Sequence, residues 1–318
     1  MNLRACLLGA VAACTPGPGS SPSIHGGKQA LDSGPPDTDA GGSLGCDYKF
    51  GKTFIVSSMG WLESSEGFDL DDDGEVDNNL GRLSGLINPL YESTVKDGVR
   101  LEIFELTPWP ESIGEEPIAT GAAFFWAIDA DEPPDPSNNF YGEGQFKIVN
   151  EQFDVNCSPM SRLDWTSVHG RRLQGKADRF PFVVTWRGTA DYRKVVFDGE
   201  FDNDFKHLRG RVGAAWTSCS LSVLPWPLDL GSSLLDAFVG IFDIRPDIDL
   251  DGDGLEELIT ENQRIVACID GDGKTRIEGK YCACDPRIAD GYSVAYFMEM
   301  VPAQVVGVSD WREADTRP

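Results

Sequence analysis

The stretch Val99-Arg-Leu-Glu-Ile-Phe-Glu-Leu106 largely alternates apolar and polar residues and is followed by Pro108. Such alternation places successive side chains on opposite faces of a strand, so this stretch predicts a β-strand. Comparable stretches recur between turns rich in Gly, Asn, Asp and Pro, which is typical of an antiparallel sheet. The other predicted strands are residues 50–57, 118–128, 141–149, 182–187, 194–201, 209–221 and 292–301.

These segments predict a mainly β protein, and the fold expected is an antiparallel β-sandwich of jelly-roll type. Two or three short helices are expected beside the aspartate-rich loops described below. Leu80, Leu83 and Ile87 recur at helical spacing and predict the first helix. Residues 234–242 and 255–267 are the other helical segments.

The composition is that of an acidic, folded protein. The chain has 318 residues, 41% of them hydrophobic, and a formal net charge of -25. A hydrophobic core of good size can form from such a chain. The negative surface repels nucleic acid and attracts divalent cations, so nucleic acid is not an expected partner.

Two loops share the pattern D-x-D-x-D-G-x-x-[DE]. Loop 1 is Asp69-Leu-Asp-Asp-Asp-Gly-Glu-Val-Asp77, and loop 2 is Asp249-Leu-Asp-Gly-Asp-Gly-Leu-Glu-Glu257. Alternate carboxylates turn towards one centre, and the Gly allows the sharp bend that returns the chain to the ion. The pattern therefore predicts two Ca²⁺ sites. The predicted ligands are Asp69, Asp71, Asp73, the carbonyl of Glu75 and Asp77 in loop 1, and Asp249, Asp251, Asp253, Leu255 and Glu257 in loop 2.

Neither loop has the Glu that closes an EF-hand at the twelfth position, which is Leu80 after loop 1 and Thr260 after loop 2. The expected affinity is therefore that of extracellular modules, about 10⁻⁴–10⁻³ M. Asp270 and Asp272 belong to a third, partial copy, for which a metal site and a plain turn are both open. For every loop the alternative is a solvated turn, since Asp and Gly are favoured in turns.

The N-terminal segment predicts export. Residues 1–13 combine a short basic start with a short apolar run, and Val11-Ala-Ala-Cys14 resembles a bacterial lipobox. This resemblance implies a lipoprotein signal peptide, cleavage before Cys14 and lipid attachment to that residue; an ordinary secretory signal is the alternative. Residues 14–45 are rich in Gly, Pro, Ser and Asp and predict a disordered tether. Residues 46–318 are expected to form a single calcium-stabilised domain.

Apart from Cys6 in the signal segment and Cys14, the chain has six cysteines, which fit an exported protein with three disulfides. A thiolate zinc site is the alternative, although the Cys-Ala-Cys spacing at 282–284 is not the usual one. The predicted pairs are Cys268–Cys282, Cys157–Cys219 and, by exclusion, Cys46–Cys284.

The sequence contains none of the nucleophile, zinc-protease, phosphate-loop or dinucleotide motifs that mark common enzymes. A hydrolase that uses a carboxylate pair is one alternative function, but no pair stands out among so many acids. A carbohydrate-binding module is another, because Trp109 and Trp226 lie beside prolines, where a sugar could stack on them.

Four blocks of sequence, two of which contain or overlap the aspartate loops, carry a resemblance to other proteins. Together they extend over most of the predicted domain. They are Gly67-Phe-Asp-Leu-Asp-Asp-Asp-Gly-Glu-Val-Asp-Asn-Asn-Leu-Gly81, Asp247-Ile-Asp-Leu-Asp-Gly-Asp-Gly-Leu255, Cys268-Ile-Asp-Gly-Asp-Gly273 and Asp285-Pro-Arg-Ile-Ala-Asp-Gly-Tyr-Ser293.

With these blocks the chain resembles a group of uncharacterised predicted lipoproteins of myxobacteria. The resemblance implies a lipid-anchored protein of the bacterial outer membrane or cell surface, and it implies no reaction. The leading prediction is therefore a non-enzymatic binding or structural module, anchored in outer-membrane lipid through Cys14. Its further partner would be a glycan or an envelope protein.

Overall fold

The computed structural model describes residues 46–98, 101–110, 113–114, 116–142, 144–185, 188–226, 229–250, 260–261, 264–265 and 290–309. These residues form sixteen β-strands, three short α-helices and two 3₁₀ turns. The strands are β1 Lys52–Trp61, β2 Glu102–Thr107, β3 Ile118–Ala119, β4 Gly121–Asp129, β5 Gln145–Val149, β6 Arg162–Leu163, β7 Trp165–His169, β8 Arg172–Thr185, β9 Gly188–Phe201, β10 Leu208–Thr217, β11 Pro225–Trp226, β12 Asp229–Ser233, β13 Thr260–Glu261, β14 Arg264–Ile265, β15 Gly291–Pro302 and β16 Gln304–Ser309.

The helices are short and lie beside the strands. Helix α1, Ser84–Lys96, packs on β1. The Asn88 side chain fixes this contact, because it accepts a hydrogen bond from the Trp61 N–H at 2.7 Å and donates one to the Trp61 carbonyl at 3.0 Å. Helix α3 starts with a capping box between Ser233 and Asp236. The elements are α1 Ser84–Lys96, α2 Ser218–Val223, α3 Leu234–Gly240 and the 3₁₀ turns Asn79–Leu83 and Asn150–Gln152.

The predicted helices at 80–90 and 234–242 are confirmed, but part of the third is wrong. Thr260 pairs with Ile265, and Glu261 pairs with Arg264, in the small β13–β14 ladder. This backbone pairing requires extended chain and so excludes a helix over these residues. The rest of segment 255–267 lies outside the described residues.

One large sheet contains twelve of the strands, in the order β16-β5-β4-β2-β1-β15-β10-β9-β8-β7-β3 with β6 beside β4. Strands β3 and β4 are almost continuous in the chain. On one side β4 pairs with β2, and on the other side β3 pairs with β7 while β4 pairs with β6. The sheet therefore curls until its ends meet. We call this ring of antiparallel strands, from β4 through β2, β1, β15, β10, β9 and β8 to β7, the closed sheet.

The prediction of a mainly β fold is confirmed. The two facing layers expected of a sandwich are opposite walls of the single closed sheet. Strand β5 continues this sheet beyond β4, and β16 pairs with β5 in parallel, so the complete sheet is mixed.

The inner face of the closed sheet forms the main hydrophobic core. On β15 every second side chain points inward, as the period of a strand requires. The inward residues of this strand are all buried: Tyr292, Val294, Tyr296, Met298 and Met300.

Two glycines make room for an aromatic ring inside. Gly199 on β9 and Gly210 on β10 stand directly opposite each other. A Cβ atom at Gly199 would lie 2.9 Å from the Phe197 ring, and one at Gly210 would lie 2.7 Å from it. Only glycine therefore lets Phe197 lie flat over this part of the wall and stack on Phe104, at 5.3 Å between ring centroids.

A second core covers the outer face of β1, β2 and β4. Tyr48 and Phe50, which precede β1, pack on Phe153 with ring centroids 5.1 and 6.4 Å away. The carboxylate of Glu105 is fully buried here, and it accepts hydrogen bonds from the Tyr48 hydroxyl at 2.9 Å and the Gly51 N–H at 2.6 Å. Burial raises the pKa of the Glu105 carboxyl above its usual range.

The disulfide found here corrects two of the predicted pairs. Cys46 is bonded to Cys157, with their Cα atoms 5.4 Å apart, so the predicted pairs Cys157–Cys219 and Cys46–Cys284 are wrong. The reason is the second core: the aromatic residues after Cys46 pack on the segment just before Cys157. The predicted pair Cys268–Cys282 lies outside the described residues.

We expect Cys46→Ala to lower the free energy of unfolding by about 2–5 kcal/mol, because the bond closes a long loop in the unfolded chain. Urea unfolding of the variant and the wild type measures this loss. A peptide map without reductant should find Cys46 and Cys157 in one linked pair, and Cys219→Ala should leave that pair intact. Loss of the link in Cys219→Ala would contradict this assignment.

Candidate metal centre

Loop 1 follows β1 in the chain and turns tightly, and its two ends are joined by an isolated antiparallel β-bridge between Phe68 and Asp77. Asp72 and Gly74 adopt positive φ angles of 66° and 91°. Asp and Gly tolerate this left-handed conformation better than most residues, which explains why the sequence can turn twice within five residues.

The aspartates first organise the loop's own backbone. Asp69 accepts hydrogen bonds from the N–H groups of Asp73, at 3.2 Å, and Gly74, at 3.0 Å. Asp71 accepts from the Asp73 N–H at 3.3 Å, and Asp73 accepts from the Glu75 N–H at 2.7 Å. The chain therefore wraps around its own carboxylates, as Asp-rich turns do.

Three of these carboxylates converge. Asp69, Asp71 and Asp77 each offer one oxygen, and the three oxygens lie within 4.8 Å of one another. Like charges this close repel unless a cation or a proton offsets them. An all-oxygen set of carboxylates is the kind of donor set that binds hard cations, so this group can hold a metal ion.

Asp77 connects the metal group to the loop's interior. It accepts a hydrogen bond from the Leu70 N–H at 2.5 Å. Burial is the main cause that raises the pKa of the Asp77 carboxyl to about 6; the nearby carboxylates of Asp71, Asp247 and Asp73 contribute to the shift, and the Leu70 hydrogen bond opposes it. Without a cation, the site therefore binds a proton more readily than an ordinary aspartate does.

The start of loop 2 is built like loop 1. Ile248 bridges to Gly291 as Phe68 bridges to Asp77. The Leu250 N–H donates to the Asp290 carboxylate at 2.9 Å, just as the Leu70 N–H donates to Asp77. Asp290 therefore takes the place in loop 2 that Asp77 takes in loop 1, and it lies far outside the D-x-D-x-D-G pattern in the sequence.

The described start of loop 2, Asp249 and Leu250, lies beside loop 1 on the outer face of β10 and β15. Their leucines share a small hydrophobic cluster, whose members are Leu70, Ala215 and Ile248 with the partly buried Phe68, Val196 and Leu250. Asp247 accepts hydrogen bonds from the N–H and the hydroxyl of Ser293 at the start of β15. Burial raises the pKa of the Asp247 carboxyl.

Asn78 holds loop 1 to the closed sheet and was missed by sequence reasoning. Its amide group is buried and donates to the carbonyls of Leu62, Glu63 and Glu66, at 2.7–3.1 Å. Its side-chain oxygen accepts from the Ala295 N–H of β15 at 3.0 Å. The next residue, Asn79, donates to the carbonyl of Arg245 at 2.7 Å and so ties the two loops together. No pattern in the sequence marks these amides, because their partners are distant in the chain.

The structure describes only some of the predicted ligands. Asp73 is not in the converging group, and the Glu75 carbonyl stays a prediction. Leu80, which occupies the twelfth position, is fully buried in the main core. Asp249 lies within the described residues and is not in the converging group either. Of Cys219 only the backbone is described, and the other predicted residues lie outside the described part: Cys14, Asp251, Asp253, Leu255, Glu257, Asp270, Asp272, Cys268, Cys282 and Cys284.

Of the two tryptophans suggested for sugar stacking, Trp109 packs against other side chains of the domain. Trp109 contacts Phe201 and Phe205, with ring centroids 5.5 and 6.1 Å away, and the Lys52 ammonium lies 4.2 Å from its ring. The side chain of Trp226 is outside the described part of the structure.

Comparison with known proteins gives no relative: no family model, no curated protein and no solved structure matches the chain. Within the described residues, none of the helices has the length and apolar character needed to cross a membrane.

We expect the metal-free domain to lose stability as pH rises from about 4 to about 6. Burial raises the pKa of Asp77 to about 6 in the folded state, above the 3.8 of an ordinary aspartate, so the folded state keeps a proton that the unfolded chain releases. Its contribution is present at low pH and is lost as pH rises through the folded pKa. Melting curves in chelator across this range measure the effect.

Asp77→Asn should remove part of this pH dependence, because an amide does not titrate. Asp72→Asn removes the same charge from an exposed position of loop 1 and should leave the dependence in place. Parallel profiles for Asp77→Asn and the wild type would show that the carboxyl of Asp77 is not the titrating group.

Proposed function

We propose that this protein is a calcium-stabilised, lipid-anchored domain of the bacterial outer membrane or cell surface that acts as a non-enzymatic binding or structural module. The observation that carries the proposal is the convergence of Asp69, Asp71 and Asp77 within 4.8 Å. Two further features support it: the lipobox-like segment ending at Cys14, and the Cys46–Cys157 disulfide, which suits an oxidising compartment.

Calcium suits the site better than smaller or softer cations. The donors are carboxylate oxygens, with no sulfur or imidazole among the three, which disfavours zinc. Asp69 and Asp71 are exposed and Asp77 is half-buried, so solvent water can complete an irregular shell. Ca²⁺ accepts such irregular geometry, whereas Mg²⁺ demands a near-ideal octahedron.

The cation's role is structural. Asp77 lies beside Asp247, and burial raises the pKa of both carboxyl groups, so bringing the two loops together concentrates negative charge. A divalent cation held by loop 1 would offset that charge and favour the packing of Leu70 against Ile248. Calcium binding would therefore clamp the two loops onto β15.

We expect calcium to raise the melting temperature of residues 46–318, and chelator to remove the increase. A cation that binds only the folded state, with a dissociation constant of about 10⁻⁴–10⁻³ M, stabilises it by about 0.4–1.4 kcal/mol at millimolar calcium. Asp71→Asn should lose most of this calcium-dependent increase, because it removes one of the three converging oxygens. Thermal melts with millimolar calcium, magnesium or chelator measure the difference.

Asp72→Asn is the matched control, since it makes the same chemical change at the neighbouring exposed position outside the converging group. It should keep the calcium response of the wild type. Equal responses from Asp71→Asn and Asp72→Asn would mean that calcium acts on the net charge of the loop and not at a built site.

The lipid anchor has its own test. In cells expressing the full chain, radiolabelled palmitate should enter the wild-type protein and not Cys14→Ser. Cell fractionation should then find the wild type in the outer membrane and Cys14→Ser in a soluble fraction. Absence of label from the wild type would contradict the proposed lipid anchor and would not bear on the proposed role of calcium.

A further inference from the structure

The interior of the closed sheet contains a cavity of about 50 Å³. Its walls come from β1, β2, β4, β6, β8, β9, β10 and β15, so strands surround it around the ring of the closed sheet. The lining is mostly apolar and strongly aromatic, with Phe124, Phe180, Phe182 and Phe197 among its members. It lies inside the main core, whereas the acidic loops lie on the outer face.

A void of this size is unusual in a well-packed core. Protein interiors rarely leave spaces larger than a water molecule, and one water needs roughly 10–15 Å³ of such volume. Closed antiparallel sheets of about eight strands have interiors that side chains fill or that hold one small ligand. The apolar walls favour the second use. An engineered cavity that binds benzene measures roughly 150 Å³, so a ligand of that size requires this cavity to widen.

The cavity also has a hydrogen-bonding end. The hydroxyl groups of Tyr192 and Tyr296 both belong to lining residues and lie 3.0 Å apart. Trp216 packs against Tyr192 and Trp61 against Tyr296, with ring centroids 5.5 and 6.3 Å apart. Both indoles are at least nine-tenths buried, and neither Nε1 group has a hydrogen-bond partner in the described part of the chain. Neither tryptophan lines the cavity, so the hydrogen-bonding groups of its wall are the two tyrosine hydroxyls and the buried carboxylate of Glu102.

One wall of the cavity can adapt. Met59 on β1 and Met298 on β15 stand directly opposite each other, and both line the cavity. Methionine side chains are unbranched and flexible, and they repack around ligands more readily than other core residues. Rotation of these two side chains would enlarge the cavity without moving the strands.

We propose that the interior of the closed sheet binds a small, mainly apolar molecule that carries one hydrogen-bonding group, of the chemical class of phenol. The aromatic walls would hold its ring by burial and edge contacts, and the Tyr192–Tyr296 hydroxyl pair would recognise its polar group. This site goes beyond the calcium role and does not depend on it, because no calcium ligand lines the cavity.

Phenol and benzene are the probes, and quenching of Trp fluorescence together with thermal melts gives their affinities for the wild-type domain in calcium. Phenol should bind about fivefold more tightly than benzene, the usual worth of one added hydrogen bond. Tyr296→Phe should bring the two affinities close together while leaving benzene binding nearly unchanged. A preference for phenol that survives in Tyr296→Phe would overturn the assigned polar end.

Ala214→Val adds two methyl groups inside the cavity and should abolish binding of both probes, whereas Ala119→Val makes the same change at an exposed position of the sheet and should not. Met298→Ala enlarges the cavity and should bind both probes more tightly than the wild type. If neither the wild type nor Met298→Ala binds either probe while both remain folded by circular dichroism, the proposal fails. Equal binding by Ala214→Val and the wild type would also overturn it, because the probes would then sit elsewhere.

Discussion

Closure of the sheet is the constraint on which the rest of the structure depends. It rests on two very short strands: β3 pairs with β7, and β6 pairs with β4. A backbone hydrogen bond from Phe124 to Ser161 and a side-chain bond from Ser161 to the Pro181 carbonyl add to the seam. Because the walls meet there, the inward side chains pack on one another in the main core, and the two ends of the ring are paired with each other. The main core and its cavity both follow from that seam.

The meeting of the two acidic loops follows from strand pairing and not from the loops themselves. Strands β1 and β15 are antiparallel neighbours, and Trp61 at the end of β1 stands opposite Tyr296. Strand β15 therefore extends beyond β1 at the edge where loop 1 leaves. Loop 1 takes up the uncovered part of β15 through Leu62 and Asn78, which bond to Ala295, while loop 2 bonds to Gly291. Segments nearly the whole domain apart in sequence are adjacent for this reason.

Sequence reasoning succeeded where the signal is local. Alternation located most of the strands, helical spacing located α1, and the D-x-D-x-D-G pattern located Asp69, Asp71 and Asp77. It failed where the deciding contact is distant in the chain. The alternation in β2, for example, gives no hint that Glu102 and Glu105 are both buried, on opposite faces. That outcome needs the inner wall on one side and the Tyr48 segment on the other. The pairing of Cys46 with Cys157 and the role of Asp290 have the same long-range origin.

The attachment of the chain just before β1 has a mechanical consequence. Cys46 is covalently joined to Cys157, and the intervening aromatic residues pack over the outer face of the sheet. A pulling force applied to the chain ahead of Cys46 would be carried by that covalent bond into the Cys157 turn as well as along the backbone into β1. Strand β1 would then not be peeled from its neighbours one hydrogen bond at a time. Load would instead be spread across two distant points of the fold, so β1 would not bear the whole force.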